Sequence, residues 1–191
     1  MLEKEYKSLL TKDEYEKIKT AFLWDSAKVQ ENHYYTDNEG VLRQNRVMMR
    51  VRVKDNKSVI QVKLHKNPGS PLQICEETEY AVDGVPKSFQ DGEKYTGIKT
   101  GVLYNIGCAK TLRHSKMWDD KTEICLDRTE YLGRCDYELE IEYTTDEINP
   151  ELMQKINGMG ILFKENSIGK FSRFLRALDI DKRAMEVIKK G

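Results

Sequence analysis

A period-two alternation of charged and apolar residues, returning several times along the chain, constrains this sequence more than any other feature. At its start Glu3, Glu5 and Lys7 alternate with Leu2, Lys4 and Tyr6, and along a strand residues two apart share one face. Two carboxylates and an ammonium on one face are costly to bury, unless the face lines a polar cavity that holds cations and anions. For this stretch alone a solvated edge strand explains the pattern equally well. The pattern recurs, however, with basic faces answering acidic ones. Met48, Arg50 and Arg52 alternate with Val47, Met49, Val51 and Val53, and Gln61, Lys63 and His65 alternate with Ile60, Val62 and Leu64. Glu77 and Glu79 share a phase with Cys75. Glu138, Glu140 and Glu142 form the densest acidic stripe, opposite Tyr137, Leu139, Ile141 and Tyr143.

The order of the elements follows from capping and turn chemistry. Thr11 to Glu14 reads as a capping box opening a helix that carries Tyr15, Ile18 and Phe22 to about Trp24. A strand over residues 29 to 36 ends in the turn-forming Asp37-Asn38-Glu39-Gly40. Arg46 to Lys54 and Ser58 to His65 form a hairpin about Asp55-Asn56-Lys57. A Pro68-Gly69-Ser70-Pro71 loop precedes a strand from Leu72 to Val82. Gly84 to Gly107 reads as one or two short helices. A second hairpin joins Lys110 to Trp118 with Thr122 to Thr129, and a strand follows from Cys135 to Thr144. Helices begin at Pro150 and run over Ile168 to Leu178. About eight antiparallel strands is the number whose closure leaves an interior one side chain wide. The expected fold is therefore α+β, a closed eight-stranded antiparallel β-barrel with helices outside, formed by residues 1–191 as one domain.

With 32 Lys+Arg against 32 Asp+Glu the chain has no net charge, which argues against nucleic acid or a membrane surface as a partner. Cys75, Cys108, Cys125 and Cys135 form no CxxC pair, no run of about 20 apolar residues occurs and no signal peptide is evident. These features predict a soluble, cytoplasmic protein without a disulfide framework and with no obligate protein partner implied. His33, His65 and His114 form no ligand triplet, although His65 shares the phase of Lys63. Tyr34 and Tyr35 read as packing residues, and Lys170, Arg173 and Arg176 as a solvated helix face near a C-terminus.

Turned inward by closure, Glu3, Glu5, Glu77, Glu79, Asp127, Glu138 and Glu140 would repel unless hard divalent cations bind them, and Mg2+ or Mn2+ suits such oxygen ligands. Lys7, Arg50, Arg52, Lys63 and Arg113 would then need an anion, which a phosphate chain supplies. These residues resemble the CYTH superfamily, the triphosphate tunnel metalloenzymes, which include thiamine triphosphatases, inorganic tripolyphosphatases and class IV adenylyl cyclases. Glu3-Lys4-Glu5-Tyr6-Lys7 resembles the family's E-x-E-x-K signature, Arg50-Val51-Arg52 its basic strand, and Lys63, Glu77, Glu79 and Arg113 the residues that follow. The resemblance implies metal ligation by Glu3, Glu5, Glu77, Glu79, Asp127, Glu138 and Glu140, with Glu140/Glu142 as an alternative final pair. It implies substrate binding by Lys7, Arg50, Arg52, Lys63, Arg113 and Lys170, with Lys7, Lys63 and Lys170 catalytic. The implied activity is metal-dependent hydrolysis of a triphosphate. A class IV-type adenylyl cyclase and a non-catalytic polyphosphate or nucleotide sensor are the alternatives. Few large aromatic residues fall on the inward phases, so inorganic tripolyphosphate is expected to be the best substrate.

Overall fold

The computed structural model describes residues 2–66, 72–163 and 168–190, and the side chains of all these except 2–3, 72–73 and 183–190. The Pro68–Pro71 loop expected from sequence lies outside the described residues. Strands β1 (Leu2–Leu10), β2 (Ser26–Thr36), β3 (Val47–Lys54), β4 (Lys57–His65), β5 (Leu72–Ala81), β7 (Leu103–Asp119), β8 (Thr122–Tyr131) and β9 (Arg134–Tyr143) pair antiparallel in the order β2-β3-β4-β5-β1-β9-β8-β7. A further β2–β7 ladder closes the ring. The result is the expected eight-stranded barrel, to which the two-residue β6 (Ser88–Phe89) adds at the start of β7.

Turn chemistry fixes the registers. Asp55 (φ 51°) and Asn56 (φ 59°) join β3 to β4, and Leu132 (φ 47°) and Gly133 (φ 70°) join β8 to β9. Both are two-residue connections with positive φ throughout, the geometry that matches strand twist. The resulting ladders set Lys63 opposite Glu77, Lys7 opposite Glu140 and Arg113 opposite Asp127. A slip of one residue in any ladder would turn these charges onto the apolar exterior.

Helices cover that exterior. Helix α1 (Lys12–Ala21) has the expected capping box, Thr11 with Glu14. Asn149 caps α4 (Pro150–Gly158) by accepting from the Glu151 and Leu152 N–H groups, with Pro150 in the first turn. Tyr15 and Ile18 of α1 and Leu152 and Ile156 of α4 pack on Ile124, Leu126, Leu139 and Ile141, all at most 2% exposed. Fully burying each such aliphatic side chain stabilises the fold by about 1.5–3 kcal/mol. The short α2 (Val41–Gln44), β6 and Leu103 cover Val47, Met49, Val51, Ile60 and Val62 in a second cluster.

The structure corrects two sequence expectations here. Between Gly84 and Gly107 only the four-residue α3 (Glu93–Thr96) is helical among the described residues, and β7 begins at Leu103, well before Lys110. Gly107, at φ +133°, carries the strand past an irregularity at Tyr34/Tyr35 in the facing ladder. A period-two reading loses its phase at such a residue. The last helix, α5, runs over Lys170–Lys190, so Lys170, Arg173 and Arg176 stand in its first two turns and not at its C-terminus. Its Phe174 and Ala177 pack with Tyr34, Met48, Ala109 and Tyr131, so α5 covers the barrel end at which β2 finishes and β3 begins. No helix among the described residues is long and apolar enough to cross a membrane.

Candidate active site

Inside the barrel a cavity of roughly 800 Å³ is bounded by inward-facing side chains of the barrel strands and by the first turns of α5. Ser26, Lys28, Lys54 and Glu123 line the end nearest the Asp55–Asn56 turn. Arg43, Arg46, Met48, Phe171, Leu175 and Arg176 line the opposite end, while Glu5, Lys7, Arg50, Lys63, Arg113 and Glu140 lie between them.

One wall is acidic and already partnered. Lys170 Nζ lies 2.7 Å from Glu140 Oε1, 2.9 Å from Asp127 Oδ2 and 3.2 Å from Glu138 Oε2. The Arg113 guanidinium forks onto Asp127 at 2.9 and 2.7 Å, also donates to Glu140, and reaches Glu142 at 3.4 Å. Lys7 Nζ is 2.7 Å from Glu5 and 3.8 Å from Glu140. Burial alone would raise the Glu140 carboxyl, yet Lys170, Arg113 and Lys7 reverse that effect and hold it well below the ordinary carboxylate value. Asp127 is lowered in the same way, against burial, by Arg113 and Lys170, and Glu5 by Lys7. The reciprocal effect raises Lys7 and Lys170 despite the burial that opposes their charge.

The facing wall is basic. Arg50 Nε donates to Gln61 Oε1 at 2.8 Å, and Arg52 Nε to Asn32 Oδ1 at 3.0 Å. Among the described residues neither arginine has a carboxylate within ion-pair distance. Burial, with Arg50 and Arg113 nearby, pushes Arg52 down to about 9. Lys63 lies 2.9 Å from Glu77, whose carboxyl is lowered, against burial, by that ammonium. Tyr34, 1% exposed and directly opposite Arg50 in the β2–β3 ladder, lines this wall. Its hydroxyl has no hydrogen-bond partner among the described residues. The Phe171 ring lies 5.0 Å from the Tyr34 ring.

Three carboxylates meet between the walls: Glu5, Glu140 and Glu142 each present an oxygen, all within 4.8 Å of one another. Such an all-oxygen set, part of it buried, fits a hard divalent cation. Glu138 instead holds Arg173 at 2.5 Å, and Asp127 is fully buried beneath Arg113 and Lys170. Glu79 is exposed and accepts from Gln61 at 2.5 Å. The side chain of Glu3 lies outside the described residues, although its backbone pairs with Cys75.

Sequence reasoning missed three residues. Tyr34 packs, as expected, yet also borders the cavity with a buried hydroxyl that has no hydrogen-bond partner among the described residues. Gln61 links Arg50 to Glu79, and its shared phase with Lys63 was the available signal. Arg173 is tied to Asp136 at 2.8 Å as well as to Glu138, so the first turn of α5 is not the solvated face its helical spacing suggests. His65 lines the cavity with Nδ1 3.2 Å from the Cys75 sulfur, while His114 packs against Tyr15 and Trp24 on the exterior.

The CYTH domain family matches this chain over residues 1–172. A Bacillus subtilis (strain 168) protein named "Putative triphosphatase YjbK" is 31% identical over 147 residues, 74% of this chain and 77% of that protein. The solved structure of the Hippeastrum protein HpAC1, described as a "putative adenylyl cyclase" with a dominant triphosphatase activity, superposes with a TM-score of 0.72 at 22% identity, covering 91% of this chain and 95% of that one. A "putative adenylate cyclase" from Bacillus halodurans gives a TM-score of 0.69 at 22% identity, over 89% of this chain and 95% of that chain. The two structures share the barrel fold with this chain.

Proposed function

The chain belongs to the CYTH domain family, and from that premise we propose that residues 1–191 form one divalent-metal-dependent triphosphatase domain whose best substrate is inorganic tripolyphosphate. One observation carries this reading: Arg50 and Arg52, which have no carboxylate within ion-pair distance among the described residues, face three converging carboxylates across a single cavity. Holding two guanidinium groups side by side, Arg50 buried and Arg52 partly so, is costly without a bound anion, and a phosphate chain offers the oxygens that Arg forks match. The name of the Bacillus subtilis relative agrees with a triphosphatase.

In this reading Arg50, Arg52 and Lys63 hold the phosphate chain, and the Tyr34 hydroxyl donates a hydrogen bond to one of its oxygens. Glu5, Glu140 and Glu142 hold Mg2+ or Mn2+, the Glu140/Glu142 alternative being favoured because these two, and not Glu138, present oxygens within 4.8 Å of one another and of Glu5. The bound ion would supply Lewis-acid polarisation of phosphate oxygens and an acidified water. Lys170 and Arg113, bonded to Glu140, would share its carboxylate with such an ion. Their N–H groups can then turn to the phosphate. Lys7 stays against Glu5 and keeps the carboxylate ionised. Positioning and charge neutralisation supply most of the rate in such transfers.

Purified protein is expected to release orthophosphate from tripolyphosphate with Mg2+ or Mn2+, and to stop when the metal is chelated. Absence of release from tripolyphosphate and from every nucleoside triphosphate would remove the assignment. A second reading, an organic triphosphate hydrolysed or cyclised, is favoured by Met48, Phe171 and Leu175 at one end of the cavity. Incubation with ATP separates its branches by product, cyclic AMP or orthophosphate. A kcat/KM for ATP or thiamine triphosphate more than tenfold above that for tripolyphosphate, about 1.4 kcal/mol of transition-state preference, would establish an organic-group pocket there.

A further inference from the structure

The outer surface of the barrel carries a second group of ligand-type side chains, unconnected with the cavity. Glu31 and His33 share the outward face of β2, and Cys108 stands directly across the ladder from His33 on β7. A carboxylate oxygen, an imidazole nitrogen and the sulfur lie within 4.8 Å of one another. The three border an outer hollow of about 710 Å³ whose far side carries Arg134 and Cys135. Lys110 takes one Glu31 oxygen at 3.4 Å, which leaves the other, 3.7 Å from His33 Nε2, turned towards the ring. Among the described residues the His33 ring makes no hydrogen bond.

We propose that Glu31, His33 and Cys108 bind a zinc-class divalent cation that clips β2 to β7, the ladder that closes the barrel, from outside. Imidazole and thiolate are borderline-soft donors that suit zinc and discriminate against magnesium, which prefers an all-oxygen set. Directly opposed residues in a ladder have Cβ atoms about 4.5–5.5 Å apart. One Zn–N bond of about 2.0 Å and one Zn–S bond of about 2.3 Å span that gap after small side-chain rotations. Ligation displaces the Cys108 thiol proton to solvent. With three protein ligands, the fourth position is left to water.

The test uses the full chain, freed of metal with a chelator, with Co2+ as the optical probe. Wild type is expected to show a near-ultraviolet thiolate-to-cobalt charge-transfer band that saturates with added Co2+ and is displaced by Zn2+. The band should vanish in Cys108→Ser and its titration weaken at least tenfold in His33→Gln. It should persist in Cys135→Ser, because Cys135 lies two ladders from β7, and in Glu5→Gln, which alters only the cavity. Zn2+ should raise the melting temperature of wild type and not that of Cys108→Ser. No band in wild type, or one that survives in Cys108→Ser, overturns the proposal. Should Cys108→Ser not fold, an unchanged titration in His33→Gln overturns it equally. None of these readouts depends on phosphatase activity, so failure here leaves the triphosphatase reading intact, and the converse also holds.

Discussion

Glu140 is the residue on which most of the cavity's charge converges, since Lys170, Arg113 and Lys7 all lie within ion-pair distance of it. In Glu140→Gln, Lys170 keeps Asp127 and Glu138, and Arg113 keeps Asp127. The domain is therefore expected to fold while losing metal-dependent phosphate release by at least about a hundredfold. Near-wild-type turnover in a correctly folded variant would take Glu140 out of the metal site. Tyr34→Phe separates binding from stability in another way. The hydroxyl is buried and unpartnered, so removing it should leave the melting temperature unchanged or slightly higher. A hydrogen bond to a charged phosphate is worth about 1.5–3 kcal/mol, so kcat/KM should fall tenfold or more. A lower melting temperature with unaltered kinetics would show a purely structural role. Much at this scale was legible in the sequence, because Arg50, Lys63, Glu5 and Glu140 each sit in an unbroken alternation that fixes their face. What alternation cannot give is distance from the centre. Glu79 and Glu77 share a phase, yet Glu79 is exposed and bonded to Gln61 whereas Glu77 is paired with Lys63.

Among the elements, the hairpins and α1 could be read directly because their turns and cap carry local chemistry. The start of β7 and the orientation of α5 could not be read, since both depend on partners far along the chain. At Gly107 these two elements meet. A Cβ there would stand 2.8 Å from Phe174 Cζ, at a φ of +133° that L side chains rarely adopt. Gly107→Ala is expected to destabilise the protein by about 1–3 kcal/mol through strain and overpacking. It should also weaken substrate binding, because displacing Phe174 moves the helix that carries Lys170. Chemical denaturation together with KM for tripolyphosphate measures both effects. A destabilised variant with wild-type KM would uncouple α5 from the site. Thr11→Ala, by contrast, removes a cap on the outer surface and should cost about 1 kcal/mol with no change in KM.

For the molecule as a whole, the charged interior sets the response to pH. Glu5, Asp127 and Glu140 have folded-state values below their ordinary 4.5, 3.8 and 4.5, so the folded protein binds fewer protons than the unfolded chain in acid. The stability they contribute is fully present above those ordinary values and is lost as the pH falls through the lowered ones. Lys7 and Lys170 are raised, so their contribution is fully present below 10.5 and is lost only as the pH rises beyond their raised values. The melting temperature should therefore vary little with these groups across neutral pH and drop below about pH 4.5, and Glu140→Gln should make that acid drop shallower. An equally steep drop in the variant would show that the ion-pair cluster does not control acid unfolding. The strand order has a separate consequence, for the time during which the chain is being made. β1 emerges first but lies between β5 and β9, so its hydrogen bonds on one side wait until nearly the whole barrel exists. Pairing of such sequence-distant strands is slow, and an unpaired edge attracts other chains unless charges deter them. Glu3, Lys4, Glu5 and Lys7 supply such charges along β1, so residues that later line the finished tunnel, Glu5 and Lys7, are also of the kind that deters edge-to-edge association until β9 pairs with β1.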